Sequence, residues 1–409
     1  MRRRIIVARL TLSLAVFVLA GSAQAGGLYV STFGTSSMGA ASAGANAVAE
    51  DASTVFHNPA GMTRLDDHEV SVGLAPGFST VEFDADVQTP SGGGDGGDQG
   101  GFLPITSSQY VHKLSERWRL GLSLFSVAGA ALNPNNGWAG RFETTKVSLF
   151  TLTMQPTVAV RLTDWLSVGG GIAITYGRMD MKVRAPIAAE PTIELKNLDD
   201  WQVAPAVGVL LEPTDDLRLG VLYQGETNFN FKGKIDIPIG VEPAVDLGFP
   251  LAQAVRTSLF WEASDRFDLL ASGGWEDWST AKNLPVAVTR GSASVPLEFH
   301  DTWYVAGGVR YHLSDAWTLQ TGLRYDKSAL RDRDRTTVLP VDRVWTFGAG
   351  GLYDWSESLR LGFSFVWADL GTAPVNNATV KGKYSRNELF LFGVSLNWKK
   401  LPWSGRATL

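Results

Sequence analysis

The residues that could perform acid–base, nucleophilic or metal chemistry are few and scattered along the sequence. The five histidines form no HExxH or similar pair; they are His57, His68, His112, His300 and His312. The chain has no cysteine, which removes thiolate nucleophiles, thiolate metal sites and disulfides. The Gly/Asp run from Gly92 to Gly101 lacks the carboxylate spacing of an EF-hand loop and is read as a flexible outer loop. We therefore predict no catalytic constellation, no metal and no cofactor.

The first 25 residues predict export from the cytoplasm. Three arginines, Arg2 to Arg4, precede an apolar run from Leu10 to Ala20, and the small-residue pattern Ala23-Gln24-Ala25 follows. This order is typical of a secretory signal peptide. An N-terminal membrane anchor is the alternative, but the run is shorter than the ~20 residues that a spanning helix needs. We expect a signal peptide over residues 1–25.

Charge and composition exclude further classes. The net charge is −5 over 409 residues, and basic residues are scattered among acidic ones, so no nucleic-acid partner is expected. The 44 glycines, 20 phenylalanines and 14 tryptophans occur without helical periodicity, and no later apolar run is long enough for a membrane helix.

Apolar residues instead alternate with small or polar ones, which predicts β-strands. In one stretch Leu361, Phe363 and Phe365 share a face, while Gly362 and Ser364 take the other. A soluble β-sandwich or barrel would show the same alternation. Strand length, aromatic residues at the ends of the apolar faces and the Gly, Ser and Arg content of the opposite faces favour a membrane barrel.

Short turns recur at intervals of about fifty residues, the length of two strands and one long loop. Counting between them gives fourteen strands within residues 68–398, including strands at 216–233 and 250–264 with an outer loop between them. An even number places both chain ends on the periplasmic side. We predict an all-β, 14-stranded antiparallel transmembrane β-barrel in the outer membrane of a Gram-negative cell, followed by a tail over residues 399–409.

Residues 26–67 precede the first strand and are rich in small side chains. A barrel of this size leaks unless its lumen is filled, and this segment is the only sizeable candidate for a plug. A disordered periplasmic tail is the alternative, because Phe56 and Leu65 offer little core of their own.

The sequence from Gly44 to Met62 resembles one family. It contains Glu50-Asp51-Ala52-Ser53-Thr54-Val55-Phe56-His57 and then Asn58-Pro59-Ala60-Gly61, which is similar to the hatch motif of the FadL/TodX outer-membrane transporters of long-chain fatty acids and aromatic hydrocarbons. Weaker matches follow in family order, from Asn230-Phe231-Lys232-Gly233 to Leu391-Phe392-Gly393.

This resemblance implies a hatch inside the lumen, an apolar pocket into which the new N-terminus Gly26-Gly27-Leu28 reaches, and a monomer. It also implies an inward kink of the third strand through which ligand leaves sideways; the matching residues are Ala128, Gly129 and Ala130. Glycine weakens a strand interior, but an ordinary strand end explains these residues equally well. The family usually ends its last strand in a C-terminal aromatic residue, which the barrel assembly machinery recognises; here a tail follows Trp398, which departs from that pattern.

Apolar residues in the predicted loop after residue 233 suggest a ligand-capture groove, although packing on the barrel rim is an equal alternative. They include Ile235, Ile237, Ile239, Val241, Leu247 and Phe249. If the ligand is a carboxylate, a cation should meet it. By resemblance Arg178 and Lys282 are the candidates, against the usual role of lumen charges in solvated networks.

These features favour facilitated diffusion of hydrophobic compounds such as long-chain fatty acids across the outer membrane, with aromatic hydrocarbons as the alternative ligand. The expected partners are that ligand, outer-membrane lipid with lipopolysaccharide, and the assembly machinery. An outer-membrane phospholipase would need a Ser and a His in contact, and a general porin would need a water-filled lumen.

Overall fold

The computed structural model describes residues 34–126, 129–237, 242–288, 291–296 and 298–399. Residues 1–33 contain the predicted signal peptide and Gly26 to Leu28, which therefore lie outside the described residues. Within the described part, no helix has the length and apolar character needed to cross a membrane.

Long alternating segments fold into β-strands, and four short helical turns precede them. The helical turns are Ser36–Ala40, Ala45–Val48, Thr54–His57 and Pro59–Arg64. The strands are β1 (Glu69–Ala85), β2 (Phe102–Lys113), β3 (Trp118–Phe125), β4 (Gly129–Leu132), β5 (Lys146–Arg161), β6 (Leu166–Arg184), β7 (Thr192–Thr214), β8 (Leu217–Gln224), β9 (Thr227–Asp236), β10 (Ala244–Leu251), β11 (Ala254–Ser264), β12 (Phe267–Glu276), β13 (Asn283–Val288), β14 (Gly291–Pro296), β15 (Thr302–His312), β16 (Trp317–Asp326), β17 (Val344–Ser356), β18 (Leu359–Asp369), β19 (Val375–Asn376) and β20 (Lys381–Trp398). Two further short helical turns, Trp278–Lys282 and Asp332–Asp334, lie in connections between strands.

The strands close into a barrel because β1 pairs antiparallel with β20. Some strands of the wall are interrupted, so two numbered segments form one wall strand: β3 continues as β4, β8 as β9 and β10 as β11, while β13 and β14 extend β12 and β15. When each such pair is counted once, the wall has fourteen antiparallel strands, which confirms the predicted fold class. Closure gives hydrogen-bond partners to the backbone N–H and C=O groups of both edge strands, which is required in lipid because no water can bond them there.

Alternation assigns the apolar face to the outside of the wall. Leu74, Val203, Phe363 and Phe392 are among the large apolar side chains that are half exposed on the strands. Their sequence neighbours Ala75, Ala204 and Leu391 are buried against the interior. An outward belt of this kind is buried only when lipid surrounds the barrel.

The two ends of the barrel differ in the length of their connections. The β2–β3, β5–β6 and β7–β8 turns are only a few residues long. They lie at the same end of the barrel as Glu69 and Trp398. The opposite end carries the long connections, and there the strands β6, β7, β9 and β10 project furthest. We call these the short-turn end and the long-loop end; in outer-membrane barrels they face the periplasm and the outside.

The sequence-based boundaries were wrong around residue 240. A single strand over 216–233 is in fact β8 and β9, and the expected loop before 250 is largely the start of β10. Lys234 pairs with Ala244, so the connection between the two strands is shorter than predicted. The cause is β-pairing beyond the membrane, where no lipid requires the outward face of a strand to be apolar.

Candidate functional site

Residues 34–65, called the N-terminal segment below, lie inside the barrel. The segment contacts strands from the whole circumference, including β3, β7, β11 and β17. Nearly all of its side chains are buried, among them Met38, Val55 and Met62. A polypeptide of mostly small residues can fill a lumen in this way because its backbone packs close to the wall. This location agrees with the predicted plug rather than with a disordered tail.

The predicted motif residue Asn58 fastens the segment to the wall. Its side-chain amide donates to the backbone carbonyl of Asn46 at 2.8 Å and to that of Val209, on β7, at 2.9 Å. Its side-chain oxygen accepts a hydrogen bond from the backbone amide of Ala60 at 3.1 Å. Asn58 is fully buried, so each of these groups would lose a partner if the amide were removed. Pro59 begins the following helical turn, where its missing N–H is not needed.

Wall glycines make room for the segment's backbone. A Cβ on Gly169 would lie 2.6 Å from the amide nitrogen of Ala60, and one on Gly348 would lie 2.7 Å from that of Ala41. The other wall glycines in direct contact with the segment include Gly73, Gly121, Gly208, Gly220, Gly308, Gly322, Gly350 and Gly393. The glycine content of the inward faces is therefore a packing requirement of the filled lumen.

Five wall arginines, called the arginine belt below, donate to the segment at the short-turn end. Arg119 reaches the carbonyl of Leu65 at 2.7 Å, and Arg161 reaches that of Thr63 at 2.7 Å. The remaining members, Arg218, Arg310 and Arg360, contact Val48 or Glu50. Charge-assisted hydrogen bonds from rigid strands fix the segment more firmly than apolar contacts between small side chains can.

Glu50 is the anionic centre of this belt. Its carboxylate lies 2.9 Å from Arg310, 3.5 Å from Arg360 and 3.7 Å from Arg218, which come from β15, β18 and β8. Burial acts to raise the pKa of Glu50, but the three guanidinium groups outweigh it and hold the pKa at about 2. Glu50 is thus ionised at every physiological pH and ties three distant strands to the segment.

A histidine inside the segment brings hydroxyls and imidazole together, which bears on the enzyme alternative. His57 Nε2 lies 3.2 Å from the hydroxyl of Thr35 and 3.3 Å from that of Ser37. Burial lowers the pKa of His57 to about 4, so its ring is neutral near pH 7. The adjoining cavity measures about 10 Å³, which is room for one water molecule at most. No lipid ester can enter it.

His312, at the short-turn end of the wall, also places an imidazole beside a hydroxyl, and here a carboxylate is added. Its ring contacts Asp268 at 3.0 Å and Thr318 at 3.2 Å, linking three neighbouring strands. The cavity beside it, of about 310 Å³, is also lined by charged groups such as Glu50 and Arg360. An acyl chain in this cavity would strip water from the charged groups that line it and would gain few apolar contacts. We interpret these hydrogen bonds as stabilising the pairing of the three strands.

The outer half of the interior is apolar, in contrast with the polar short-turn end. One buried cluster combines residues of β6, β7, β9, β10 and the outer connections: Met179, Met181, Val183, Ile193, Leu195, Phe229, Phe231, Leu247, Phe249, Phe299, Leu339 and Tyr384 are among its members. The N-terminal segment contributes Phe56, whose ring centroid lies 4.3 Å from that of Phe125 on β3. The segment is thus the floor of this apolar interior.

The residues predicted to form a capture groove belong to this cluster. Ile235, Leu247 and Phe249 are at most 4% exposed, so the expectation of exposed apolar surface was wrong for them. Ile237 is 9% exposed, and Ile239 and Val241 lie outside the described residues. The reason is the β9–β10 hairpin, which turns these side chains towards the interior instead of leaving them in a loop.

The headgroup candidates fare differently. Arg178 alternates with the buried Met179 and Gly177 and shares the outward face with Tyr176, where it lies 3.4 Å from Asp180. It cannot meet a ligand in the lumen, so this prediction was wrong; the period-two alternation runs through β6 without the slip that an inward Arg178 required. Lys282 ends the helical turn Trp278–Lys282 in an outer connection, and only its backbone is described.

The wall is interrupted at the predicted kink. Pairing of β2 with β3 ends at Ser107 and Phe125, and the outer part of β2, Phe102–Thr106, pairs on its other side with β1. The strand resumes as β4, which pairs with β5. Within the described residues no β2–β4 ladder is found, and Ala128 lies outside them. We call this gap the wall window.

The window has closed ends and a small-residue rim. Above it, the amide of Asn133 donates to the carbonyl of Gln99 at 2.9 Å. A Cβ on Gly101 would lie 3.1 Å from that of Ala131, so the two edges touch without hydrogen bonds. Phe125 at its lower end contacts the floor residue Phe56.

Sequence reasoning missed the arginine belt and Glu50. Each belt arginine lies at the short-turn end of its strand, on the face that also carries small residues: Arg119, Arg218 and Arg360 are second residues of β3, β8 and β18. That repeated position was a readable signal, since an arginine on an inward face needs an internal acceptor.

Comparison with known proteins extends this description. Residues 16–397 match the family model described as outer membrane protein transport protein, OMPP1/FadL/TodX. A long-chain fatty acid transport protein of Salmonella typhi is 24% identical over 97% of this chain and 100% of its own length. The crystal structure of a Pseudomonas aeruginosa FadL homologue superimposes with a TM-score of 0.83 at 18% identity, over 91% of this chain and 99% of its own. The Ralstonia pickettii toluene transporter TbuX gives 0.68 at 14% identity, over 90% and 99%. The barrel, its filled lumen and the match along nearly the whole sequence lead to one conclusion: this chain belongs to the OMPP1/FadL/TodX family of outer-membrane transport proteins.

Proposed function

We propose that this protein carries hydrophobic small molecules, long-chain fatty acids first among them, from the outer surface into the outer membrane without chemical change. The observation that carries the proposal is the contrast inside the barrel: its outer half is apolar, whereas in its polar inner half arginines hold the N-terminal segment. Apolar interiors with a few polar groups are the usual sites for such ligands.

The route begins at the long-loop end. A ligand that displaces side chains of the β9–β10 hairpin enters the cluster around Phe231 and Phe249, whose centroids are 6.3 Å apart. It then meets the floor at Phe56, beside the wall window. Movement of Phe56 away from Phe125 would join the apolar interior to the window, and the ligand would leave sideways into lipid. In this proposal the lateral-opening residues are those of the window rim, including Gly129 and Ala130.

The ligand class follows from the relatives and from the interior. The Salmonella relative is named for long-chain fatty acids, which supports that class. The alternative is an aromatic hydrocarbon, supported by the likeness in fold to the toluene transporter and by the stacked rings of Phe229 and Phe231, 4.9 Å apart. For a carboxylate ligand, Lys282 remains the proposed headgroup contact, and the new N-terminus, Gly26 to Leu28, is proposed to reach into the pocket.

Binding to purified protein tests the proposal and separates the two ligand classes. A fluorescent fatty acid is titrated into the detergent-solubilised protein, and oleate or toluene is added as competitor. We expect micromolar competition by oleate and reduced binding in a Phe249→Ser variant. Phe363→Ser, on the lipid-facing side of β18, is the matched control. Competition by toluene alone would assign the aromatic class, and absence of any binding would refute the proposal.

Two other functions are disfavoured by specific contacts. A general porin needs an open lumen, whereas here the N-terminal segment occupies it. A phospholipase needs an accessible hydroxyl–imidazole pair, whereas Ser37 and His57 are buried. We further infer cleavage after Ala25, function as a monomer, and insertion by the barrel assembly machinery.

A further inference from the structure

The outer wall beyond the membrane carries a polar cavity of about 590 Å³, unrelated to the apolar interior. It is lined by the loop Asn133–Asn136 and by residues at the outer ends of β5, β6 and β7: Thr145, Lys146, Lys182, Arg184, Thr192 and Glu194. Lys182 and Arg184 alternate with Met181 and Val183, which are buried in the apolar interior. The cations therefore point away from the lumen, onto the outside of the barrel.

Its charges are unbalanced. Lys146 and Lys182 are direct cross-strand partners, and like charges in that position destabilise a sheet unless an anion joins them. Glu194 lies 2.6 Å from Lys182 and 3.1 Å from Lys196, and Lys196 is also paired with Asp236 at 2.6 Å. Among the described residues no carboxylate lies within 4 Å of the Lys146 ammonium. Three cations and one shared carboxylate leave the cavity positive.

The third cation, Arg184, hydrogen-bonds only to neutral groups among the described residues. Arg184 donates to the backbone carbonyl of Glu190 at 3.0 Å and weakly to Asn136 at 3.4 Å, neither of which is an anion. The Glu190 carboxylate is held elsewhere, by Arg141 at 2.9 Å. An arginine fork beside two lysines suits a phosphate, and the asparagines and threonines around it suit sugar hydroxyls.

The height of the cavity identifies where such an anion comes from. Trp165, just before β6, and Tyr176 within it mark the two edges of the apolar belt; Tyr176 packs on the 62% exposed Trp201 at 5.1 Å. Eleven residues of a strand tilted by ~40° span about 28 Å, the thickness expected for such a belt. Lys182 lies six residues further, about 15 Å beyond the belt by the same rule. That is the layer of lipid headgroups and their attached sugars.

We propose that this cavity, named the glycolipid cradle, binds a phosphorylated sugar of the outer-leaflet glycolipid. Lys146, Lys182 and Arg184 hold its phosphate, the neutral side chains of 133–136 contact its hydroxyls, and its acyl chains lie on the outward apolar face below, where Phe150 and Leu152 are half exposed. The inference requires the outer-membrane location but neither the proposed ligand nor the window.

Binding of lipopolysaccharide to the purified full-length protein in detergent tests the cradle. The variant Lys146→Gln/Lys182→Gln/Arg184→Gln should bind it about tenfold or more weakly, because charge-assisted contacts are lost. The control Lys232→Gln/Lys234→Gln removes outward lysines of β9 that do not line the cavity and should stay within about twofold. Lys146→Gln alone, at an exposed strand end, should weaken binding severalfold and serves if the triple variant does not fold.

Two further probes identify the group that is recognised. Enzymatically dephosphorylated lipopolysaccharide should bind the unaltered protein as weakly as the intact glycolipid binds the triple variant. Inorganic phosphate should compete only at millimolar concentration. Equal binding by the triple variant, equal binding of the dephosphorylated glycolipid, or displacement by micromolar phosphate would each overturn the assignment, the last in favour of a site for free anions.

Discussion

Replacing Glu50 by Gln should loosen the N-terminal segment without unfolding the barrel. The change keeps the side chain's size and removes the charge that Arg310, Arg360 and Arg218 share. Arg218 keeps Glu262 and Arg360 keeps Asp354, but Arg310 loses the ionic partner that the structure gives it. The wall itself retains its ladder hydrogen bonds.

The magnitude follows from the pKa of Glu50. A fall from 4.5 to about 2 corresponds to about 3 kcal/mol of preferential interaction with the ionised form. The side chain is 28% exposed and borders an open polar cavity, so screening reduces this to roughly 2 kcal/mol. That is about a 30-fold larger population of the displaced segment. Because the pKa is lowered by the fold, the stabilisation is complete above pH 4.5 and is lost as the pH falls towards 2.

Planar-bilayer recordings measure the consequence as the frequency of channel openings. Openings should be some tens of times more frequent in Glu50→Gln than in the unaltered protein at pH 7. Glu190→Gln is the matched control, since it also removes a Glu–Arg pair, with Arg141, but one in the outer loops. Folding of the variant is judged by its migration on a gel without heating. If the folded variant opens no more often than the control, the proposed role of Glu50 in holding the N-terminal segment is refuted.

Three other changes test the remaining contacts. Asn58→Ala removes hydrogen bonds from two buried backbone carbonyls and one amide and should cost about 2 kcal/mol, seen as faster proteolysis of the N-terminal segment. Gly208→Val places a side chain where Asn58 packs and should release the segment in the same assay, whereas Gly307→Val, whose Cβ would meet open space, should not. Gly101→Cys/Ala131→Cys, in a chain without native cysteine, should close the window by a disulfide and stop ligand uptake until reductant is added; uptake that is insensitive to oxidation would exclude the lateral route.

The membrane wall could be predicted from the sequence because one rule governs it. Where lipid covers one face, a strand must alternate, and the runs around Leu361 and Phe392 do so without interruption. Beyond the membrane that constraint ends. The outer parts of β7, β9 and β10 carry charges such as Lys196 and Lys234 on their outward faces, and their polar composition was read as loop.

The interior was only partly predictable. The Asn58 motif was recognised from local sequence, and its neighbours in space explain it. The arginine belt joins Glu50 to strands more than 150 residues away, and no local pattern reports such pairs. The orientation of Arg178 depends on the inward–outward alternation of side chains along β6, and a single inserted residue in the strand would have reversed it.

The wall glycines carry a consequence for how the protein is made. The segment precedes β1 in the chain, yet its backbone touches Gly73 on the first strand and Gly348 on one of the last, with no space for side chains to pass between. Wall strands that pack so closely on this peptide can use it as a template when they pair. We therefore expect a shortened chain lacking that peptide to reach the closed state by a different and slower sequence of steps.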